Sequence, residues 1–321
     1  MATVEQYIGR RETLGLGIEA TPGTGVAAQT WMRWLEQDLK PKTTVVENES
    51  AIGVVDRVED SEITSRQMEG KIGGKITIDT VGFILLGMWG TVTSSEPAAG
   101  ITTHTFATKQ SSIPTTLSIT SVTPLRTERY SYATVESFEM EAEAGKYVTF
   151  SSSVKARIGA PANDTPALTT QTEFTSKHIT LKLAANTAGI AGATKLKARS
   201  LKLSAERKAD DFVPLGSSDE VEFDLGAFEP KGEFVVRCTS DEYETAFLAN
   251  TKQAMEIAMV NDTDKSLTFS ASKVRFRELE YSKDKDEVVT ATISFYCEFD
   301  TTTNSSLVPV LKNTVEEYVA A

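Results

Sequence analysis

The side chains able to do chemistry are few. His104 and His178 are the only histidines, so a multi-histidine metal site is ruled out and a histidine-based triad would have to use one of these two. His104 lies in a threonine-rich strand, THTFAT, and His178 lies where a polar stretch meets a strand; each reads as a polar residue at a strand edge. Cys238 and Cys297 stand far apart in strand-like apolar surroundings. They read as small buried hydrophobes, without a CxxC pair or a disulfide framework. Glu139, Glu141 and Glu143 share one face of a strand, where a glycosidase could use such a pair. No cluster of aromatic platforms accompanies them, and a solvated strand face explains them. The glycines of GLGIEATPGTG (15–25) lack GxGxxG spacing and a following Lys-Ser/Thr, while MEGKIGGK (68–75) runs on into a strand instead of a helix N-terminus. Turn and bulge glycines account for both. The expectation is no catalytic residue, no metal site, no cofactor and no enzymatic activity.

The elements that position these residues are mostly strands. Val289, Ala291, Ile293, Phe295, Cys297 and Phe299 alternate with polar residues through one segment, the period of a half-buried strand. Phe138, Met140 and Ala142 alternate with Glu139, Glu141 and Glu143, and after Gly145-Lys146 the alternation resumes at Val148 and Phe150, which predicts a long hairpin over 132–158. Shorter alternating runs fall at 76–81, 117–122, 179–183, 201–205, 234–236, 257–259 and 267–271. Two short helices are predicted, over 80–89 and 241–251, the second with Thr239 and Glu242 at capping-box spacing. Each follows a strand introduced by glycine, in EGKIGGKITIDTVGFILLGMWG and EPKGEFVVRCTSDEYETAFLAN, a faint internal duplication.

The 321 residues favour two domains, 1–160 and 178–321, joined by a linker at 161–177 rich in Pro, Asn, Asp and Thr. Residues 48–70, polar and charged with scattered small apolar side chains, fit neither strand nor helix well. A loop of that length is usually a binding element or disordered, so it is a candidate arm, mobile in the free protein and ordered on assembly. The net charge of −12 opposes passive binding to nucleic acid or an anionic membrane. The longest apolar run, VGFILLGMWG (81–90), is about half the length needed to span a bilayer as a helix. The N-terminal segment lacks the basic and apolar regions of a secretory signal, so residence in a cytoplasm is expected.

Three segments in order resemble the tail tube proteins of long-tailed bacteriophages. They are GLGIEATPGTGVAAQTWMRWLE (15–36); GKITIDTVGFILLGMWGTVT (74–93) with THTFATKQSSIPTTLSI (103–119); and the closing alternating strand with SLVPVLKN (306–313). The resemblance implies a mainly β fold of two tandem tail-tube-like β-sandwich or barrel domains, each with a short flanking helix. It implies domains joined edge to edge into rings that stack into a hollow tube for genomic DNA, which passes without specific binding. With two domains per chain, a homotrimeric ring imitating sixfold symmetry is favoured, with a hexamer as the alternative. The implied partners are further copies of the chain, the tape measure, the tail terminator and the tail tip, and the implied location is the virion tail, after synthesis in the host bacterial cytoplasm. A long loop that reaches the adjacent ring would fall on 48–70, with Asn48, Ile52, Val54, Asp56, Arg57, Glu59 and Arg66 as contact residues. Glu136, Glu139, Glu141 and Glu143 would line part of an acidic lumen that repels phosphate. The competing readings are a tail terminator or minor capsid protein, and a β-sandwich adhesin or binding module.

Overall fold

The structure, a computed structural model, describes residues 6–98, 100–283 and 285–320. Among these the chain is mainly β, with two α-helices. Nineteen strands share one hydrogen-bonded network and two more form a separate hairpin, Ala209–Phe212 with Glu222–Leu225.

One antiparallel layer starts at an edge made of Trp34–Gln37 and Lys40–Asn48. It continues through Asp60–Lys75, Thr149–Arg157, Ser137–Glu143, Ala198–Glu206, Glu229–Arg237 and Thr290–Cys297, and ends on the second half of Lys265–Ser282. A second set holds Thr30–Met32, Thr13–Ile18, Leu117–Val122 and Thr127–Val135. A third holds Ile179–Ala184, Gln253–Asp262, the first half of Lys265–Ser282, Val308–Asn313, Ile101–Thr108 and Gly90–Ala98. Period-two alternation turns one face of these strands inward. Phe138, Phe150, Phe234, Phe269, Phe295 and Trp89 meet in a single core that draws on both halves of the chain, with Trp89 edge-on to Phe138 and Phe228.

The pairing order repeats along the chain. Thr13–Ile18 pairs with Leu117–Val122 as Ile179–Ala184 pairs with Gln253–Asp262. Lys40–Asn48 lies beside Asp60–Lys75 as Ala198–Glu206 lies beside Glu229–Arg237. A helix follows in each case, Val81–Trp89 and then Glu242–Leu248, and each ends near a left-handed residue, Gly90 at φ 88° and Asn250 at φ 50°. That conformation, nearly free for glycine and tolerated by asparagine, terminates the helix. The first helix is wholly buried, packed among Thr13–Ile18, Gly90–Ala98, Ile101–Thr108, Thr127–Val135 and Ser137–Glu143 with Tyr318 edge-on to Phe83; the second has no buried residue. Gly82 lies so close beneath the Tyr318 ring that a Cβ there would stand 2.1 Å from it.

The predicted strands at 117–122, 179–183, 201–205, 234–236, 257–259 and 267–271 and the 132–158 hairpin are present. Several expectations need correction. Residues 76–80 are not a strand: Asp60–Lys75 ends before them and the helix starts at Val81. The second helix starts at Glu242 with Asp241 at its N-cap and no side-chain cap bond, so Thr239 does not cap it. Residues 48–70 are not one long loop, since 60–70 belong to a strand paired with Lys40–Asn48, leaving only 49–59 between them. His104 is not an edge residue, because its strand is paired on both sides, and Cys238 is only half-buried whereas Cys297 is buried. Residues 161–177 are tied to the body: Asp164 accepts from Ala28 N–H at 3.1 Å and pairs with Arg129, Gln171 donates to Trp31 C=O, and Phe174 is fully buried.

Candidate assembly surfaces

The arm predicted at 48–70 is the outer part of a two-stranded ribbon. From Lys40↔Glu69 to Asn48↔Asp60 the ladder holds nine residues on one side, a reach of about 30 Å at ~3.3 Å per residue. Sequence patterning missed the Lys40–Asn48 strand because all nine of its residues are exposed; a strand without a buried face has no alternating signature. Asn48, Ile52, Val54, Asp56, Arg57 and Glu59 gather at the turn, where Asn48 Nδ2 donates to Glu59 and Arg57 pairs with Glu49 at 2.6 Å. Arg66 lies lower, in a bidentate pair with Asp219 at 2.7 Å for both bonds. Val45, Val46, Ile52, Val54, Val55 and Ile63 are all exposed on this ribbon. An isolated two-stranded ribbon is marginal in water.

Asp219 belongs to a second projection that sequence reading did not single out, the 209–225 hairpin. It connects Ala198–Glu206 to Glu229–Arg237 at the place in the pairing order where the arm connects Lys40–Asn48 to Asp60–Lys75. Its base packs Phe223, Val221 and Leu225 against Tyr132, while Phe212, Val213 and Leu215 at its tip are exposed. The apolar FVPL run after ADD (209–215) was the available signal.

The structure splits the four glutamates assigned to a channel lining. Glu139, Glu141 and Glu143 lie on the side of the Ser137–Glu143 strand opposite its buried Phe138, Met140 and Ala142. Lysines interleave with them: Lys202 pairs with Glu139, and Lys146 pairs with Glu143 at 2.6 Å, which holds the Glu143 carboxyl below its usual range. Glu136 sits at the break before that strand, where it accepts from Ala209 N–H and pairs with Lys155 at 3.2 Å. Hydrogen bonding and charge from Asp211 and Glu136 outweigh the burial of the Lys155 ammonium and raise its pKa. A shallow groove on the same outer face, lined by Glu139, Lys202, Glu206, Lys231, Glu233 and Arg277, is open and polar, unlike the enclosed apolar pockets that small ligands use.

Glu19 is fully satisfied. Its buried carboxylate accepts from Ser118 Oγ at 2.8 Å and Tyr132 N–H at 2.9 Å on one oxygen, and from Thr116 Oγ1 at 2.7 Å and Gly23 N–H at 2.8 Å on the other. These four donors replace water and fix the Thr-Pro-Gly turn that follows, with Gly23 at φ 83°. His104, fully buried, is equally satisfied. Nε2 lies 2.9 Å from Val315 C=O, which only accepts, so Nε2 carries the proton and Nδ1 accepts from Ser94 Oγ at 2.8 Å. Burial holds its pKa below the usual histidine value against the opposing effect of the hydrogen bonds that Nε2–H donates to Val315 C=O and Asn313 Oδ1. Both polar sites are architectural, and among the described residues no group of His, Cys, Asp and Glu could hold a metal.

The family profile described as "Phage tail tube protein" matches residues 9–297. The chain belongs to the phage tail tube protein family. No curated protein matches it. This tail tube chain is thus a structural component of the virion tail, and its family self-assembles and associates with other tail components. Its Gly17-x-Glu19-x-Thr21-Pro22-Gly23 turn and Val81–Trp89 helix, both inside the matched span, are packing and turn features. The tail tube chain has no helix among its described residues long and apolar enough to cross a membrane.

Proposed function

We propose that this chain polymerises edge to edge into closed rings that stack into the hollow tail tube, the conduit for genomic DNA. The observation that supports this most strongly is the long antiparallel layer ending on two strands, 34–48 and 275–282, whose outer edges are unpaired among the described residues. An unpaired edge invites another chain, and only closure removes it. The chain would act as two tandem tail-tube-like units, 1–160 and 178–321 with 161–177 between them, because the pairing order repeats. Three copies then supply six units and a ring of pseudo-sixfold symmetry; a hexamer is the second reading.

The arm, with Asn48, Ile52, Val54, Asp56, Arg57 and Glu59 at its turn and Arg66 at its base, would reach the adjacent ring. The 209–225 hairpin would do the same for the second unit. Glu139, Glu141 and Glu143, on the polar side of the layer, would face the lumen and keep phosphate off the wall, whereas Glu136 would brace the second hairpin. Tape measure, terminator and tail tip proteins would meet the tube inside and at its ends, and synthesis would precede assembly in the host bacterial cytoplasm. No catalytic step is assigned.

Negative-stain imaging of the purified protein tests this reading. Long hollow tubes are expected. Single closed rings would favour a terminator, and a monomer at all concentrations and salts would favour a β-sandwich binding module.

A further inference from the structure

Inside one chain the two repeats are already joined edge to edge. Ser137–Glu143 pairs antiparallel with Ala198–Glu206, from Ser137↔Glu206 to Glu143↔Ser200, with Met140 opposite Leu203 and Ala142 opposite Leu201. The two strands with free edges occupy the equivalent places. Glu36↔Gly73 and Lys40↔Glu69 match Lys202↔Glu233 and Glu206↔Glu229. At the other end, Glu278↔Ser294 matches Glu139↔Ser151 in the corresponding hairpin. The sequence echoes the same alignment: Glu139-Met140-Glu141 with Glu278-Leu279-Glu280, and Thr149-Phe150-Ser151 with Thr292-Ile293-Ser294.

We propose that the joint between two copies reproduces this internal joint, residues 276–282 of one copy pairing antiparallel with residues 34–40 of the next. The register carried over sets Glu278 opposite Asp38, Leu279 opposite Gln37 and Glu280 opposite Glu36. The proposal rests on the ring reading above and specifies its partner, a second copy, and the strands that meet. A bulge between Trp34 and Glu36 puts Trp34, opposite Gly74, in the place of Leu201, opposite Phe234, so the match holds residue for residue from Glu36 onward.

The two joints differ in charge. Lys202 pairs with Glu139 inside the chain; its counterpart is Glu36, brought near Glu278, the counterpart of Glu139. Like charges facing across strands oppose pairing. The joint between copies is therefore weaker at low salt than the one within the chain and strengthens as ions screen it.

Gln37→Cys with Leu279→Cys, in a Cys238→Ser background, tests the register, since directly opposed strand residues lie within disulfide reach. On mild oxidation of assembled tubes, closed covalent rings are expected, while Gln37→Cys with Tyr281→Cys, two residues out of register, stays monomeric under denaturing electrophoresis. Tubes that crosslink only through the shifted pair, or through neither, would overturn the joint and leave the tube reading standing. Failure of the unmodified protein to assemble would overturn both. Glu36→Lys restores the internal charge pattern and should lower the protein concentration needed for assembly at low salt roughly fivefold; no change or an increase would also count against the joint.

Discussion

At the scale of single residues, buried polar groups pin distant parts of the chain. Glu19 joins the turn at Gly23 to Thr116, Ser118 and Tyr132. Removing it in Glu19→Ala leaves three buried donors and the half-buried Gly23 N–H without their acceptor, and the expected loss of stability is about 3 kcal/mol, read by denaturant unfolding. Glu19→Gln should lose less, because one oxygen survives; a variant as stable as the parent would show that the four bonds do not matter. His104 gives the fold an acid sensitivity with a defined sign. Its pKa is lowered in the folded chain, so the unfolded chain takes up a proton first as pH falls. The associated stability is complete above the unfolded value near 6.5 and declines as pH drops below it toward the lower folded value. Calorimetry between pH 7 and 5 should show a falling Tm, with a shallower slope in His104→Gln, which retains a donor. Equal slopes in the two proteins would remove His104 as the cause.

At the scale of elements, the arm is the piece whose sequence and structure diverge most. Val54→Asp with Val55→Asp changes only exposed residues of the turn, so the folded chain should keep its stability within about 0.5 kcal/mol. Electron micrographs should then show separate rings in place of tubes, and tubes of normal length would mean that the turn does not hold rings together. Legibility followed burial. The strands around Phe138, Phe150, Ile293 and Phe295 have one wet and one dry face and could be read from period two alone. Lys40–Asn48 could not, since a ribbon in solvent needs no alternation; the 209–225 hairpin does alternate, at Val221, Phe223 and Leu225, but over too short a run to stand out. His104 was misplaced for a related reason. Its neighbours in THTFAT are small and polar, and its burial comes from Val308–Asn313 and Tyr318, some two hundred residues away in the chain. The assembly residues carry no reactive signature at all, so order of turns and packing motifs was the only route to them.

At the scale of the whole molecule, one core serves a chain whose pairing order repeats, and eight strands lie side by side from the 34–48 edge to the 275–282 edge. Such a layer buries one face and leaves the other polar, and it ends without covering either edge. A monomer would be expected to blunt those edges. Copies of the same chain, as proposed, would close the layer. A three-dimensional reconstruction of the assembled tube tests that claim most directly. It should resolve three chains per ring, with the Lys265–Ser282 strand of each hydrogen-bonded to the 34–40 strand of the next in an unbroken β wall. A wall in which those two edges remain apart would contradict it.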